Sequence, residues 1–184
     1  MTFRQIAQRI RVPAGFVLAP LLFISARPTA GTLAAGAFVA VIGLAIRGWA
    51  SGHLRKMEEL TTTGPYAHTR NPLYLGTFLL GAGVAIGGGA FWFVALFVAF
   101  YLVIYVPVMQ AEAETMRKLF AAEYDRYTKQ VPLFVPRLTP YRSAFSHPTQ
   151  FDVALYMRHR EYRAAFGFVV AYGLLAAKLV LVIS

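Results

Sequence analysis

Residues 64–76 read GPYAHTRNPLYLG, with long apolar stretches on both sides. Physically this is a polar loop turning into a helix. Asn71 suits an N-cap and Pro72 suits the first helical position, where a missing N–H costs nothing. From Leu73 onward the chain is apolar. The free backbone N–H groups of such a helix start form a site for a carboxylate or phosphate. Arg70 adds a fixed fork of donors beside it. A plain loop capping a membrane helix has the same local form, so the flanking sequence has to decide.

The flanks belong to a membrane protein. Of 184 residues, 58% are hydrophobic and 14% charged, with mean hydropathy +0.54. A soluble domain carries roughly 25% charge. One domain, residues 1–184, accounts for the length. Cysteine is absent, which removes disulfides, thiolate metal ligands and a cysteine nucleophile. His53, His68, His147 and His159 have no metal-ligand spacing, so no metal is expected. The net charge of +10 could suggest nucleic acid, but no nucleic-acid module is present.

Outward from the central stretch, the chain divides into five expected spans, about 12–26, 29–49, 72–86, 90–109 and 164–183. Residues 1–11 place Phe3, Ile6, Ala7 and Ile10 at helical spacing among arginines, which predicts a short interfacial helix. A secretory signal peptide is the competing reading there. The second and third spans are rich in Gly and Ala, which favours close helix packing or, alternatively, a slot for a lipid. Arg47, near the end of the second span, is expected to snorkel toward water. Gly87-Gly88-Gly89 makes a tight turn, so spans three and four form a hairpin. Beyond Met109 a polar helix is expected to about Lys129, followed by a proline-punctuated segment. Thr149 to Asp152 has the form of a capping box opening an amphipathic helix that includes Arg158, His159, Arg160 and Arg163. That basic stretch reads as an anchor at the membrane surface, or a contact to acidic headgroups.

Charge placement sets the expected topology. Only Arg27 and Lys178 fall on one side, while the other sixteen Lys and Arg and all eight Asp and Glu share the opposite side. The positive-inside rule then puts the N-terminus in the cytoplasm and the C-terminus outside. On the cytoplasmic side, Tyr101, Tyr105 and Glu112 are spaced 4 and 7 apart, one face of a helix that Pro107 should bend. Glu112 is either a polar wall of a cavity or simply solvated.

Two segments in order now carry a resemblance. GPYAHTRNPLYLG resembles the Gly-Pro-Tyr…Arg-His/Asn-Pro-x-Tyr-x-Gly motif of the isoprenylcysteine carboxyl methyltransferases, to which phospholipid methyltransferases are related. EAETMRKLFAAEYDRYTKQVPLFVP, residues 112–136, resembles their Glu-Glu-x-x-Leu…Phe-Gly-x-x-Tyr-x-x-Tyr…Val-Pro…Pro block. The resemblance implies an all-α integral membrane protein whose cofactor pocket, on the cytoplasmic side, is made of loops and helix ends. It implies S-adenosylmethionine as methyl donor, S-adenosylhomocysteine as product, and a lipophilic substrate arriving from the bilayer.

Carried over by position, cofactor contacts fall on Tyr66, His68, Arg70, Asn71, Pro72, Tyr74, Leu75, Gly76, Glu112, Tyr124, Tyr127 and Pro132. The catalytic assignment falls on Arg70, Tyr74 and Glu112. This chain departs from the pattern at Ala113, the second carboxylate, at Met116 for Leu, and at Ala121 for Gly. Gln130 stands where many members have a basic residue, which bears on an acidic substrate group. His68 and Tyr74 are candidate bases. A carboxylate nucleophile needs none, whereas an amine must lose a proton. The expected reaction is thus most like isoprenylcysteine carboxyl O-methylation. Phosphatidylethanolamine N-methylation is one alternative, and an NADPH-dependent sterol-reductase-like activity, from a similar Arg-His-Pro-x-Tyr motif, is another.

Overall fold

The computed structural model describes residues 3–55, 59–142 and 150–183. These form six helices and one short 3-10 turn, with no strand among the described residues. They are α1 (Phe3–Ser25), α2 (Ala30–Ser51), the 3-10 turn Gly64–Ala67, α3 (Pro72–Gly87), α4 (Phe91–Thr128), α5 (Val153–Arg158) and α6 (Tyr162–Ile183).

Three helices are long and apolar enough to cross a membrane: α2, α4 and residues Tyr162–Leu181 of α6. The segments Pro13–Ser25 and Pro72–Gly87 are apolar but shorter, so five full spans are not what the helix lengths give. At about 1.5 Å per residue, α3 reaches roughly 24 Å, less than a hydrocarbon core of about 30 Å.

The expected interfacial helix at 1–11 and the expected first span are one helix, α1, which passes through Pro13 and Pro20. A membrane helix can absorb the lost backbone bonds at such prolines. The helix expected around Arg158–Arg163 instead breaks in two. Asp152 caps α5 by accepting from Ala154 N–H at 2.7 Å. Arg160 then takes a left-handed φ of 54°, so Arg163 belongs to α6. Thr149 of the expected capping box lies outside the described residues.

The core of the bundle is the α2–α3 pair. A Cβ on Gly43 would stand 2.6 Å from Gly76 O, and one on Gly83 would stand 2.5 Å from Ala40 N. Gly36 meets Gly83 O in the same way. Backbone therefore lies against backbone along the pair. The small residues are used in packing, and no lipid slot runs between these two helices. Helix α4 packs on α1 and on one flank of α3, while α6 packs on α2 and α3.

At one end of the bundle the two short turns meet, with Arg27 N–H donating to Gly88 O at 2.7 Å. Lys178 lies at this end too, donating to the carbonyls of Phe23 and Ile24. The described residues of the polar segments 59–71, 110–142 and 150–161 gather at the opposite end.

Candidate active site at the polar end of the bundle

The two motif segments, far apart in sequence, are sewn together by hydrogen bonds. Arg70 N–H donates to Pro132 O at 3.0 Å, Arg137 N–H to His68 O at 2.9 Å, and Tyr141 N–H to Ala67 O at 2.8 Å. Side chains add to the seam. Tyr127 O–H donates to Tyr66 O at 2.6 Å, Thr69 Oγ1 to Phe134 O at 2.9 Å, and Asn71 Nδ2 to Leu133 O at 2.9 Å. His68 Nδ1 lies 2.8 Å from Arg137 O. The backbone and side chains of the loop thus find much of their hydrogen bonding in the 127–141 segment.

Asn71 does stand at the N-cap of α3, but its side chain makes no cap bond. It is spent on Leu133, so the free N–H groups at the start of α3 are not covered by it. Gly64 opens the loop with φ +57°, and a Cβ there would lie 2.7 Å from the His53 ring. Only glycine satisfies both demands.

Arg70 lies above this helix start. One Nη of its guanidinium approaches the Tyr124 hydroxyl at 3.4 Å. Its Nε is buried without a hydrogen bond, and among the described residues no other buried side-chain nitrogen or oxygen lacks a partner. A buried donor without an acceptor costs about 1–3 kcal/mol. That arrangement fits a bound anionic group, such as the carboxylate of an amino-acid-bearing cofactor, lying across Arg70 and the α3 N-terminus.

The second wall comes from α4. Tyr74 O–H donates to Glu112 Oε1 at 2.6 Å, and Tyr101 O–H donates to Tyr74 O at 2.6 Å. Tyr105 stacks on Tyr101 at 4.2 Å between centroids and meets Tyr74 edge-on at 5.7 Å. The spacing of Tyr101, Tyr105 and Glu112 thus brings all three to Tyr74. Ala113 and Met116, at departures from the family pattern, pack on the buried cluster of Tyr124, Tyr127 and Val131. The non-helical residue of α4 is Ala121, with φ 36°, at the position where the pattern has glycine.

The sequence does not reveal the third wall. Arg47, expected to snorkel, is instead bound by Glu161 through Nε and Nη2, both at 3.0 Å. Its Nη1 donates to Thr77 Oγ1, and its stem lies on Gly76. The partners are 114 residues apart, so no local pattern joins them. Glu161 and Glu112 both act on Tyr66. Burial raises the Tyr66 phenol far above its ordinary range, and the two carboxylates raise it further. Tyr66 therefore stays neutral and is no general base. Among the described residues no three His, Asp or Glu side chains gather as a metal site.

The sequence model of the phospholipid methyltransferase family matches residues 30–123, half of the chain. The chain belongs to that family, which includes the relatives of the isoprenylcysteine enzymes that its motifs resemble. It is 34% identical over 89 residues to the nickel-cobalt-cadmium resistance protein NccN of Alcaligenes xylosoxydans xylosoxydans, covering 48% of this chain and 41% of the relative. It is 32% identical over 142 residues to the cobalt-zinc-cadmium resistance protein CzcN of Cupriavidus metallidurans, covering 72% of this chain and 64% of the relative. The chain thus spans less than two thirds of either protein. No solved structure matches it.

Proposed function

We propose that this protein transfers a methyl group from S-adenosylmethionine to the polar end of a membrane lipid, at the cytoplasmic face of the membrane. The observation that carries the reading is the buried, unpartnered Nε of Arg70 beside the N-terminus of α3. The cofactor's carboxylate would be held there, with Tyr124 on the other side of the guanidinium. Glu112, oriented by Tyr74, would accept from the cofactor's hydroxyl or amino groups. Tyr66, His68, Asn71, Pro72, Leu75, Gly76, Tyr127 and Pro132 would complete the surrounding frame.

When bound, the cofactor supplies an electrophilic methyl carbon on a sulfonium. The acceptor's lone pair forms the new bond as the carbon–sulfur bond breaks, leaving a neutral thioether. The chain's own work is to place the acceptor in line and to keep water out.

Glu112 and Glu161, one carboxylate on each flank of the start of α3, favour an amine headgroup over a carboxylate acceptor. Gln130, in place of a basic residue, supports the same choice. An amine attacks as its free base, having given its proton to solvent before it is enclosed beside the methyl donor. This makes phospholipid N-methylation the preferred reading and carboxyl O-methylation the second.

Both relatives are named for resistance to divalent metals. Methylation masks a donor group that such cations would otherwise bind at the lipid surface, and we extend the names to this chain in that sense only.

The test is calorimetric titration of the purified protein with S-adenosylhomocysteine, with NADPH in a parallel cell. Saturable binding of the first alone supports the reading. Binding of NADPH alone moves the protein to the reductases, and binding of neither, by folded protein, removes the cofactor assignment.

A further inference from the structure

The tight α2–α3 pair leaves no room for a lipid between those helices, so an acceptor must reach the site elsewhere. Helix α3 packs against both α4 and α6. Each flank contributes one carboxylate to the start of α3: Glu112 from α4, bound by Tyr74, and Glu161 immediately before α6, joined through Arg47 to Thr77. Glu161 lies beyond residues 30–123, where the family match ends.

The pairing of Glu161 is unusually complete. Its side chain is 10% exposed and that of Arg47 is 21% exposed, with Nη2 2.9 Å from Oε2. The guanidinium is held on both sides: Nε and Nη2 serve Glu161, and Nη1 serves Thr77, whose own hydroxyl donates to Leu73 O at 2.8 Å. Leu73 and Thr77 occupy the first turns of α3, next to Tyr74. The pair therefore fixes the start of α6 to the same helix end that carries the site. A bidentate carboxylate keeps its outward lone pairs, which face away from the guanidinium fork.

We propose that Glu161, held by Arg47, is a positioning residue for the lipid acceptor, turning its outward lone pairs to the headgroup on the α6 side of the start of α3, while Glu112 stands on the α4 side. This rests on the methyltransferase reading. It assigns the donor to Arg70, the α3 N-terminus and Glu112, and the acceptor to the Glu161 side. Each assignment has its own observable.

The test uses the full chain in detergent or nanodiscs. Labelled methyl transfer from S-adenosylmethionine is followed into two probes, dispersed phosphatidylethanolamine and N-acetyl-S-farnesylcysteine. S-adenosylhomocysteine binding is measured in parallel. Glu161→Gln should leave S-adenosylhomocysteine affinity within about twofold, which also reports that the variant is folded. It should raise the apparent KM for the accepted lipid at least about tenfold with little change in kcat. The exchanged pair, Arg47→Glu with Glu161→Arg, restores the ion pair but turns a cation toward the acceptor, so it should not recover the KM; recovery would mark the pair as structural only and overturn the proposal.

An unchanged KM in Glu161→Gln overturns the proposal. So does a fall in kcat and donor affinity in equal proportion, which would place Glu161 in the donor site or in the fold at large. A wild type that binds S-adenosylhomocysteine but methylates neither probe overturns the acceptor assignment and leaves the donor site standing. A wild type that does not bind S-adenosylhomocysteine removes both.

Discussion

Tyr74 and Glu112 share a 2.6 Å hydrogen bond between α3 and α4, and the Tyr74 carbonyl simultaneously accepts from Tyr101. One residue of the loop motif therefore fixes both the α3–α4 crossing and the orientation of the site's carboxylate. Removing either partner should cost the same interaction. Tyr74→Phe and Glu112→Gln are each expected to weaken S-adenosylhomocysteine binding, and the double variant should be little worse than the poorer single one. A coupling energy of about 1–2 kcal/mol is expected for this charge-assisted bond. Simple additivity in the calorimetric cycle would refute the linkage.

Arg70→Ala removes the only guanidinium whose Nε is buried and unpaired in the described structure. Binding of S-adenosylhomocysteine should weaken at least tenfold, or about 1.4 kcal/mol. Stability should hold or rise slightly, because an unsatisfied donor leaves the fold. Unfolding and titration measured on the same preparation separate the two effects. A variant that binds normally would take Arg70 out of the site.

Ala121 has φ 36° in the middle of a helical stretch. A left-handed backbone costs an L-residue with a Cβ about 1–2 kcal/mol, and glycine nothing comparable. Ala121→Gly should therefore stabilise the protein by about 1 kcal/mol, although glycine is ordinarily the poorer helix residue. Thermal or denaturant unfolding in detergent decides it, and a destabilised variant would mean that the α4 break is not held as described.

Alkali offers a further check. Burial, with the charges of Glu161 and Glu112 adding to it, raises the Tyr66 phenol well above the ordinary tyrosine value of about 10. A group with a raised folded pKa contributes stability that is intact below its unfolded pKa and is lost as pH climbs toward the folded value. From Tyr66, stability should be flat to about pH 10 and then fall by about 1.4 kcal/mol per pH unit. Tyr66→Phe should show a shallower alkaline decline, by about one proton. Equal slopes for the two proteins would contradict the burial of this hydroxyl.

Periodicity and short motifs made the helices legible, along with both halves of the site. The 4 and 7 spacing of Tyr101, Tyr105 and Glu112 was enough to place them on one face, and their common target, Tyr74, lies inside the quoted loop. Asn71 shows where local rules stop. Its N-cap position was readable, but Leu133 O claimed its side chain from 62 residues away. Arg47 is the larger case. Alone in the sequence it looks like an interfacial arginine, and only the return of α6 gives it Glu161. The continuity of α1 was hidden by the change from an arginine-rich stretch at 1–11 to an apolar one after it, which reads as two elements although the helix runs through both.

The seam between the loop at 66–71 and the segment at 127–141 bears on the order of events during synthesis. Its side-chain bonds connect residues 61 to 69 positions apart. When the ribosome has made α2 and α3, the loop between them has no partner for its backbone and cannot take its final shape. Helices α2 and α3 can already pair through their glycines, so the scaffold forms first and the site is completed only once the proline-rich segment emerges. A chain cut at residue 123 would retain the whole family match and still lack the part that gives the loop its shape.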